Sequence, residues 1–303
     1  MSVSATSYAT VEIASSVGRG SSFAIEMPCV ASVELTDGKK ITAVGAGTLK
    51  DVVSLTLKKV MKHVGCSYGA TARIQNQIPL DSGLGDKEAV ASASCTALLG
   101  ALAEREGGVN ELKIDKFTIE QFVVVKGKVA DKLEFAKVCC HSGMSFDRLV
   151  SCFYGGFSVC DNQTQEILRR GEMESLKALL LSSKQKKTDS DFFFPTEREI
   201  VLHEALKGNL YSAMKLNALF DAGARNRVIS VLDGGALAVA VSGGSVVGLF
   251  RDDKKLSAAV KRFPRAIVAG MVNHSIRCSK KPRRIYSVDD FLKLKGDWNF
   301  HVF

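Results

Sequence analysis

The stretch Ile78-Pro79-Leu80-Asp81-Ser82-Gly83-Leu84-Gly85-Asp86-Lys87-Glu88-Ala89 is a turn that runs straight into a helix of small residues, 89–102. Gly83 and Gly85 admit backbone conformations that a side chain disfavours. The run Ala89-Val90-Ala91-Ser92-Ala93 lets a ligand or another element come close. A glycine turn feeding a helix N-terminus presents unpaired N–H groups and the positive end of the helix dipole. That combination suits an anion, and phosphate above all. The same residues also fit an ordinary loop-to-helix corner, so the rest of the chain has to decide.

Working outward, residues 70–77 alternate like a strand that leads into the turn, and 49–64 read as an amphipathic helix. Before them, residues 7–14, 22–27, 31–35 and 40–44 carry β-branched or alternating patterns separated by Gly and Asp. After the turn, the pattern predicts a helix over 86–105, stopped by Gly107-Gly108, and a second long helix over 118–140. Gly155-Gly156 precedes a strand at 157–160 and a turn at Asp161-Asn162; residues 175–183 fit helix or strand. Helices are expected at 195–206, 209–229 and 256–263. Strands are expected at 236–241 and 245–250, joined through Gly243-Gly244. Strands and helices are mixed rather than strictly alternating, which predicts an α+β fold. A soft boundary falls in the turn-rich part between Cys140 and Ser190.

The 303 residues, 46% hydrophobic and 24% charged, describe a globular protein with room for one large or two ordinary domains. No apolar run reaches the roughly 20 residues that span a bilayer. The N-terminus lacks the basic-then-apolar layout of a signal peptide, so a cytoplasmic location is expected. Eight cysteines without a C-x-x-C pair read as buried thiols, Cys139-Cys140-His141 included. The formal charge of +9 is concentrated at 184–187 and 277–284. Such a surface attracts nucleic acid or an anionic small molecule alike. Aromatic residues are not interleaved with the basic ones, which argues against a single-strand stacking platform and a nucleic-acid partner. The chain has no G-x-x-x-x-G-K-[ST], no H-E-x-x-H and no G-x-S-x-G, and its five histidines are scattered.

Several segments, taken in order, resemble the GHMP kinases, which phosphorylate small-molecule hydroxyls with ATP, and within them the archaeal type of shikimate kinase. Ser16-Val17-Gly18-Arg19-Gly20-Ser21-Ser22-Phe23-Ala24-Ile25 is similar to the first motif, and Asn76 to Leu84 to the start of the phosphate loop. His141-Ser142-Gly143-Met144-Ser145-Phe146-Asp147 and Tyr154-Gly155-Gly156-Phe157-Ser158-Val159-Cys160-Asp161-Asn162, continuing to Ile167-Leu168-Arg169-Arg170, resemble the central block. Ala240-Val241-Ser242-Gly243-Gly244-Ser245 stands where the third motif belongs.

The resemblance implies a two-lobed fold. An N-terminal lobe, 1–160, carries the phosphate loop, and a C-terminal ferredoxin-like lobe occupies 161–303. It implies ATP held by Pro79, Leu80, Asp81, Ser82, Gly83, Leu84, Gly85, Asp86, Lys87 and Glu88, and Mg2+ on Glu88 or Asp86. Asp147 would take or orient the substrate hydroxyl proton, and Arg19 would favour the developing alkoxide. Arg148 and Arg169 would meet the carboxylate of shikimate, with Ser242, Gly243 and Gly244 lining the substrate side. The chain also departs from the pattern. Where the family carries serines after Gly-Leu, this sequence has Asp86, Lys87 and Glu88, and a carboxylate facing phosphate repels it by about 4 kcal/mol at 4 Å and effective dielectric 20. Magnesium reverses that sign. Where the family has two consecutive aspartates, the second at the catalytic-base position, this chain has Asp147-Arg148. Another small alcohol, such as homoserine or a mevalonate relative, and a non-catalytic binding protein on the same scaffold stay open as alternatives.

Overall fold

The computed structural model describes residues 2–105, 112–115, 118–121, 123–125, 128–141, 143–182 and 195–279. The expected helix stop at Gly107-Gly108, the basic run 184–187 and the basic residues beyond 279 lie outside them.

Two long antiparallel strands, β1 (Ser2–Ser16) and β2 (Arg19–Thr36), form the spine. Both are rich in β-branched and small residues that suit a pleated, buried surface. β3 (Ile41–Val44), α1 (Lys50–Val64) and β4 (Gly69–Asn76) follow, with β4 antiparallel to β2 and parallel to β3. α1 ends at Gly65, whose φ of 73° is the left-handed conformation a helix stop favours. The glycine turn then opens α2 (Asp86–Arg105), which is buried on nearly all sides. Its alanines and serines allow close packing on the sheet, and Ser92 Oγ meets Ser7 Oγ of β1 at 2.8 Å.

Four short strands come next: β5 (Leu112–Asp115), β6 (Thr118–Gln121), β7 (Val123–Val125) and β8 (Lys128–Ala130), paired as two hairpins. Only then does a helix begin, α3 (Lys132–Cys139), with the Asp131 side chain capping it through the Leu133 amide. The long helix expected over 118–140 is therefore corrected. The β-branched run Val123-Val124-Val125 favours strand, and only the last third keeps helical spacing.

α4 (Phe146–Tyr154), β9 (Phe157–Asp161) and β10 (Glu166–Gly171) complete that side. The first sheet runs β10-β9-β2-β1-β15, with β4 and β3 also attached through β2. A second, four-stranded sheet has the order β12-β13-β11-β14. It is built from β11 (Lys177–Leu181), β12 (Ala238–Ser242), β13 (Ser245–Phe250) and β14 (Ile267–Gly270). The ambiguous segment 175–183 is thus strand at its centre. Helices α5 (Pro195–Lys207), α6 (Leu210–Leu219), α7 (Arg225–Asp233) and α8 (Asp253–Arg262) accompany it. The single helix expected over 209–229 is two, divided at residues 220–224, where the Asp221 carboxylate takes the Ala224 amide. β15 (Arg277–Ser279) returns to the first sheet beside β1.

Candidate active site

A cavity of about 750 Å³ lies where the N-terminus of α2, the β1–β2 hairpin, the start of α4 and the β12–β13 turn converge. Its shape begins with the glycines singled out in the sequence. Asp81 (φ 55°), Gly83 (φ 76°) and Gly85 (φ 69°) all take left-handed backbone, which folds the loop back on itself. At Gly85 a side chain would collide with Thr10 Oγ1 of β1. At Gly83 it would meet the Gly243 backbone, with Gly243 N and Ser242 O at 2.6 Å from the added carbon. The phosphate-loop candidate and the β12–β13 turn therefore touch backbone to backbone. Hydroxyls lock the contact: Ser242 Oγ donates to Gly83 O at 2.7 Å and Ser245 Oγ to Ser82 O at 2.8 Å. Ser242 to Ser245 is thus a two-residue hairpin turn and also one wall of the site, with Gly243 lining the cavity.

The first helical hydrogen bond of α2 runs from the Ala89 amide to Gly85 O, so the preceding amides face the corner. That corner already holds an anion. The Asp86 carboxylate is raised above its usual range by burial, against which the amides of Asp81, Asp86 itself and Lys87 pull it down. Glu88, one turn on, is likewise raised by burial, with Arg148 and the Ser145 amide opposing. Ser145 N donates to Glu88 Oε1 at 3.0 Å. Two desolvated carboxylates beside an anion-binding corner fit a divalent cation brought in with phosphate, because Mg2+ takes one or two carboxylates and completes its shell with phosphate oxygens and water. Among the described residues, no group of three or more His, Cys, Asp or Glu could hold a metal ion. Lys87 lines the same cavity.

Arg148 is the centre of the opposite wall. Its guanidinium donates to Gly83 O at 2.5 Å, to Ser242 Oγ at 3.0 Å and to Glu12 Oε2 at 3.3 Å. Burial disfavours its charge, but Glu12, Glu88 and Asp147 more than restore it, and its pKa stands above the usual value. Arg148 thus ties loop, turn and β1 together.

Asp147, only 3% exposed, does not line the cavity. Its carboxylate lies under Gly20, takes the Ser145 hydroxyl and accepts Asn162 Nδ2 at 3.1 Å, while its own amide donates to Asn162 Oδ1 at 2.9 Å. A Cβ at position 20 would stand 2.5 Å from Asp147 Oδ1, so Gly20 is required for this packing. Asp147 does not cap α4; Ser145 holds the cap position.

Arg19 lines the cavity mouth, 43% of its side chain exposed, and pairs with Glu199 at 2.8 Å and Asp161 at 3.5 Å. Arg169 stands apart from the cavity. Its guanidinium donates to Leu206 O at 2.6 Å at the end of α5, beside Gly208, so the structure does not bring it to the other site residues. Pro79 and Leu80 shape the loop without lining the cavity, and Ser82 turns its hydroxyl back to Pro79 O.

Sequence reasoning missed Glu12, Ser145 and Asn162 as cavity residues. Glu12 carried one signal, a lone charge between Val11 and Ile13, both fully buried on β1. Asn162 was read with Asp161 as turn chemistry. Asp161 does serve the turn, taking the Gln163 and Thr164 amides, but Asn162 points inward to Asp147.

The architecture and sequence have relatives. The chain is 28% identical over 268 residues to a shikimate kinase of Methanothermobacter thermautotrophicus, covering 82% of this chain and 86% of that one. It is 26% identical over 290 residues to a shikimate kinase of Methanothrix thermoacetophila, covering 90% and 95%. Among solved structures, the mevalonate kinase of Methanococcus jannaschii superposes with a TM-score of 0.63 at 15% identity, covering 90% of this chain and 98% of that one. A homoserine kinase of Cytophaga hutchinsonii gives 0.63 at 18%, covering 92% and 97%. No family model matches the chain. Among the described residues, no helix is long and apolar enough to cross a membrane.

Proposed function

We propose that this chain, which has the GHMP-kinase fold and is related in sequence to archaeal shikimate kinases, transfers the γ-phosphoryl group of ATP to a hydroxyl of shikimate, giving shikimate 3-phosphate. The observation that carries the reading is the cavity itself. It combines an amide corner that already holds a carboxylate, a lysine, and buried carboxylates on one side with a fixed guanidinium on the other. Phosphoryl transfer asks for this kind of positioning and charge neutralisation more than for covalent chemistry.

The α2 N-terminus and Lys87 receive the phosphates. Mg2+, when bound, neutralises charge between phosphate oxygens, and Asp86 and Glu88 are the residues that would hold it. Arg148 keeps the loop against the β12–β13 turn, so the corner has its shape before the nucleotide arrives. Arg19, half-exposed in the cavity lining, would favour the developing alkoxide. Asp147 braces Ser145 and Asn162 from behind the cavity wall.

A second reading, another small alcohol such as homoserine or a mevalonate relative, is favoured by one observation. Of the two arginines expected to meet the shikimate carboxylate, Arg148 is paired with the protein's own Glu12 and Arg169 is turned to Leu206 O. The test is an ADP-release assay with Mg-ATP and shikimate, homoserine or mevalonate in turn. Turnover with shikimate alone supports the first reading, and turnover with another alcohol alone supports the second. Absence of turnover together with absence of ATP binding in calorimetry defeats both.

The raised carboxylates give a pH prediction. Because the native state holds the Asp86 and Glu88 protons more tightly than the unfolded chain, the ligand-free protein gains stability as pH falls through the raised values and loses it as pH rises. Mg-nucleotide needs the ionised forms, so its stabilising effect runs the other way. The rise in melting temperature on adding Mg-ATP is largest near neutrality. It fades with acidification sooner than two carboxylates at their ordinary values of 3.8 and 4.5 would allow. A rise that fades only where carboxylates at their ordinary values of 3.8 and 4.5 take up protons removes these two residues from the metal site.

A further inference from the structure

We propose that Glu12, on β1, is the carboxylate that receives the proton of the acceptor hydroxyl, and that Arg148 holds it in place. The proposal rests on the kinase reading above and adds a catalytic residue to it. A base has to reach the proton it takes. Among the described residues, four carboxylate side chains line the cavity: Asp81, Asp86 and Glu88 on the phosphate loop and the start of α2, and Glu12 on β1. Asp147, the aspartate the central block offers, lies behind the wall, engaged with Ser145 and Asn162.

Glu12 is held for such a task. Oε1 accepts Ser15 Oγ at 2.7 Å and Asn217 Nδ2 at 3.3 Å, and Oε2 faces Arg148 Nη2 at 3.3 Å. The backbone amide of Glu12 donates to Ser242 Oγ at 3.2 Å, which fixes β1 to the turn. These partners come from four places in the fold and leave Glu12 9% exposed, at the cavity wall. The charged groups around it are Arg148 on α4 and Arg198 on α5, whose guanidinium donates to Ser15 Oγ at 3.3 Å. Glu88 on α2 and Asp147 act on Arg148 from its other side. α6 and the β12–β13 turn contribute the neutral Asn217 and Ser242. Arg148 on α4 is thus matched by a carboxylate on β1.

In the step, the acceptor O–H bond breaks and its proton passes to Glu12. The oxygen forms a bond to the γ-phosphorus of the nucleoside triphosphate, and the bond from that phosphorus to the β–γ bridging oxygen breaks, releasing the nucleoside diphosphate. Glu12 returns the proton to water after the products leave.

The test compares Glu12→Gln, Glu12→Asp and Asp147→Asn with the wild-type chain. It uses kcat against pH with Mg-ATP and whichever alcohol is turned over, together with ATP affinity by calorimetry. Glu12→Gln is expected to lower kcat by about 100-fold or more. ATP affinity should stay within about 3-fold, and the acid limb of the kcat profile should disappear. Glu12→Asp recovers part of the rate and keeps an acid limb, so it carries the test should the Gln variant not fold. Asp147→Asn keeps the limb. Retained kcat in Glu12→Gln, loss of rate only in step with ATP affinity, or an acid limb lost in Asp147→Asn instead overturns the assignment while the kinase reading stands. No turnover by the wild-type chain with any alcohol overturns both.

Discussion

Gly83→Ala lowers the melting temperature by roughly 10 °C and abolishes nucleotide binding. Two costs add. A left-handed φ of 76° disfavours alanine by about 1–2 kcal/mol. The new methyl would also stand 2.6 Å from Gly243 N and Ser242 O, and neither is the movable end of a side chain. The β12–β13 turn must back away, and Ser242 Oγ and Arg148 then lose their hold on Gly83 O. Strain of this kind in a packed site brings the total to about 3–5 kcal/mol, and at about 2–4 °C per kcal/mol this gives the stated shift. Thermal denaturation and calorimetry with ATP check it. A Gly83→Ala protein with wild-type melting and wild-type affinity would show that loop and turn are not in contact.

Arg148→Met destabilises the protein by about 3 kcal/mol, because it removes the guanidinium that pairs with buried Glu12 and donates to Gly83 O and Ser242 Oγ. Methionine keeps the length of the side chain but supplies no donor. The cost is then mostly the loss of hydrogen bonds to groups that stay desolvated. Adding Glu12→Gln to Arg148→Met returns about 1–2 kcal/mol, since the pair interacts and the two effects are not additive. Urea denaturation of the four proteins closes the cycle. Strict additivity would make the 3.3 Å contact between these side chains energetically irrelevant.

Local signals made much of this legible from residue order. The start of the helix at Asp86 was readable, because a glycine turn precedes it and the alanine run marks a buried helix. The hairpin at Gly243-Gly244 was readable because two glycines between two apolar strand patterns admit little else. Residues 118–130 were misread because Glu120, two lysines and four valines at mixed spacing satisfy helix and strand templates alike, and pairing partners decide. The site was only half visible. Glycine turns advertise themselves, whereas the Glu12–Arg148 contact joins residues 136 apart in the chain, and no local pattern encodes it. Arg169 shows the reverse case. Its place in a similar motif pointed to the substrate, but strand β10 turns it toward Leu206 O and away from the cavity.

The bond from Ser242 to Gly83 O spans 159 residues, and that from Ser245 to Ser82 O spans 163. A fragment ending before the second sheet carries every phosphate-loop residue yet lacks the wall that shapes them. Ligand capture is therefore a late event in maturation of the chain, a signal that both ends have found one another. Two separately produced halves, silent alone, should recover nucleotide affinity only on mixing.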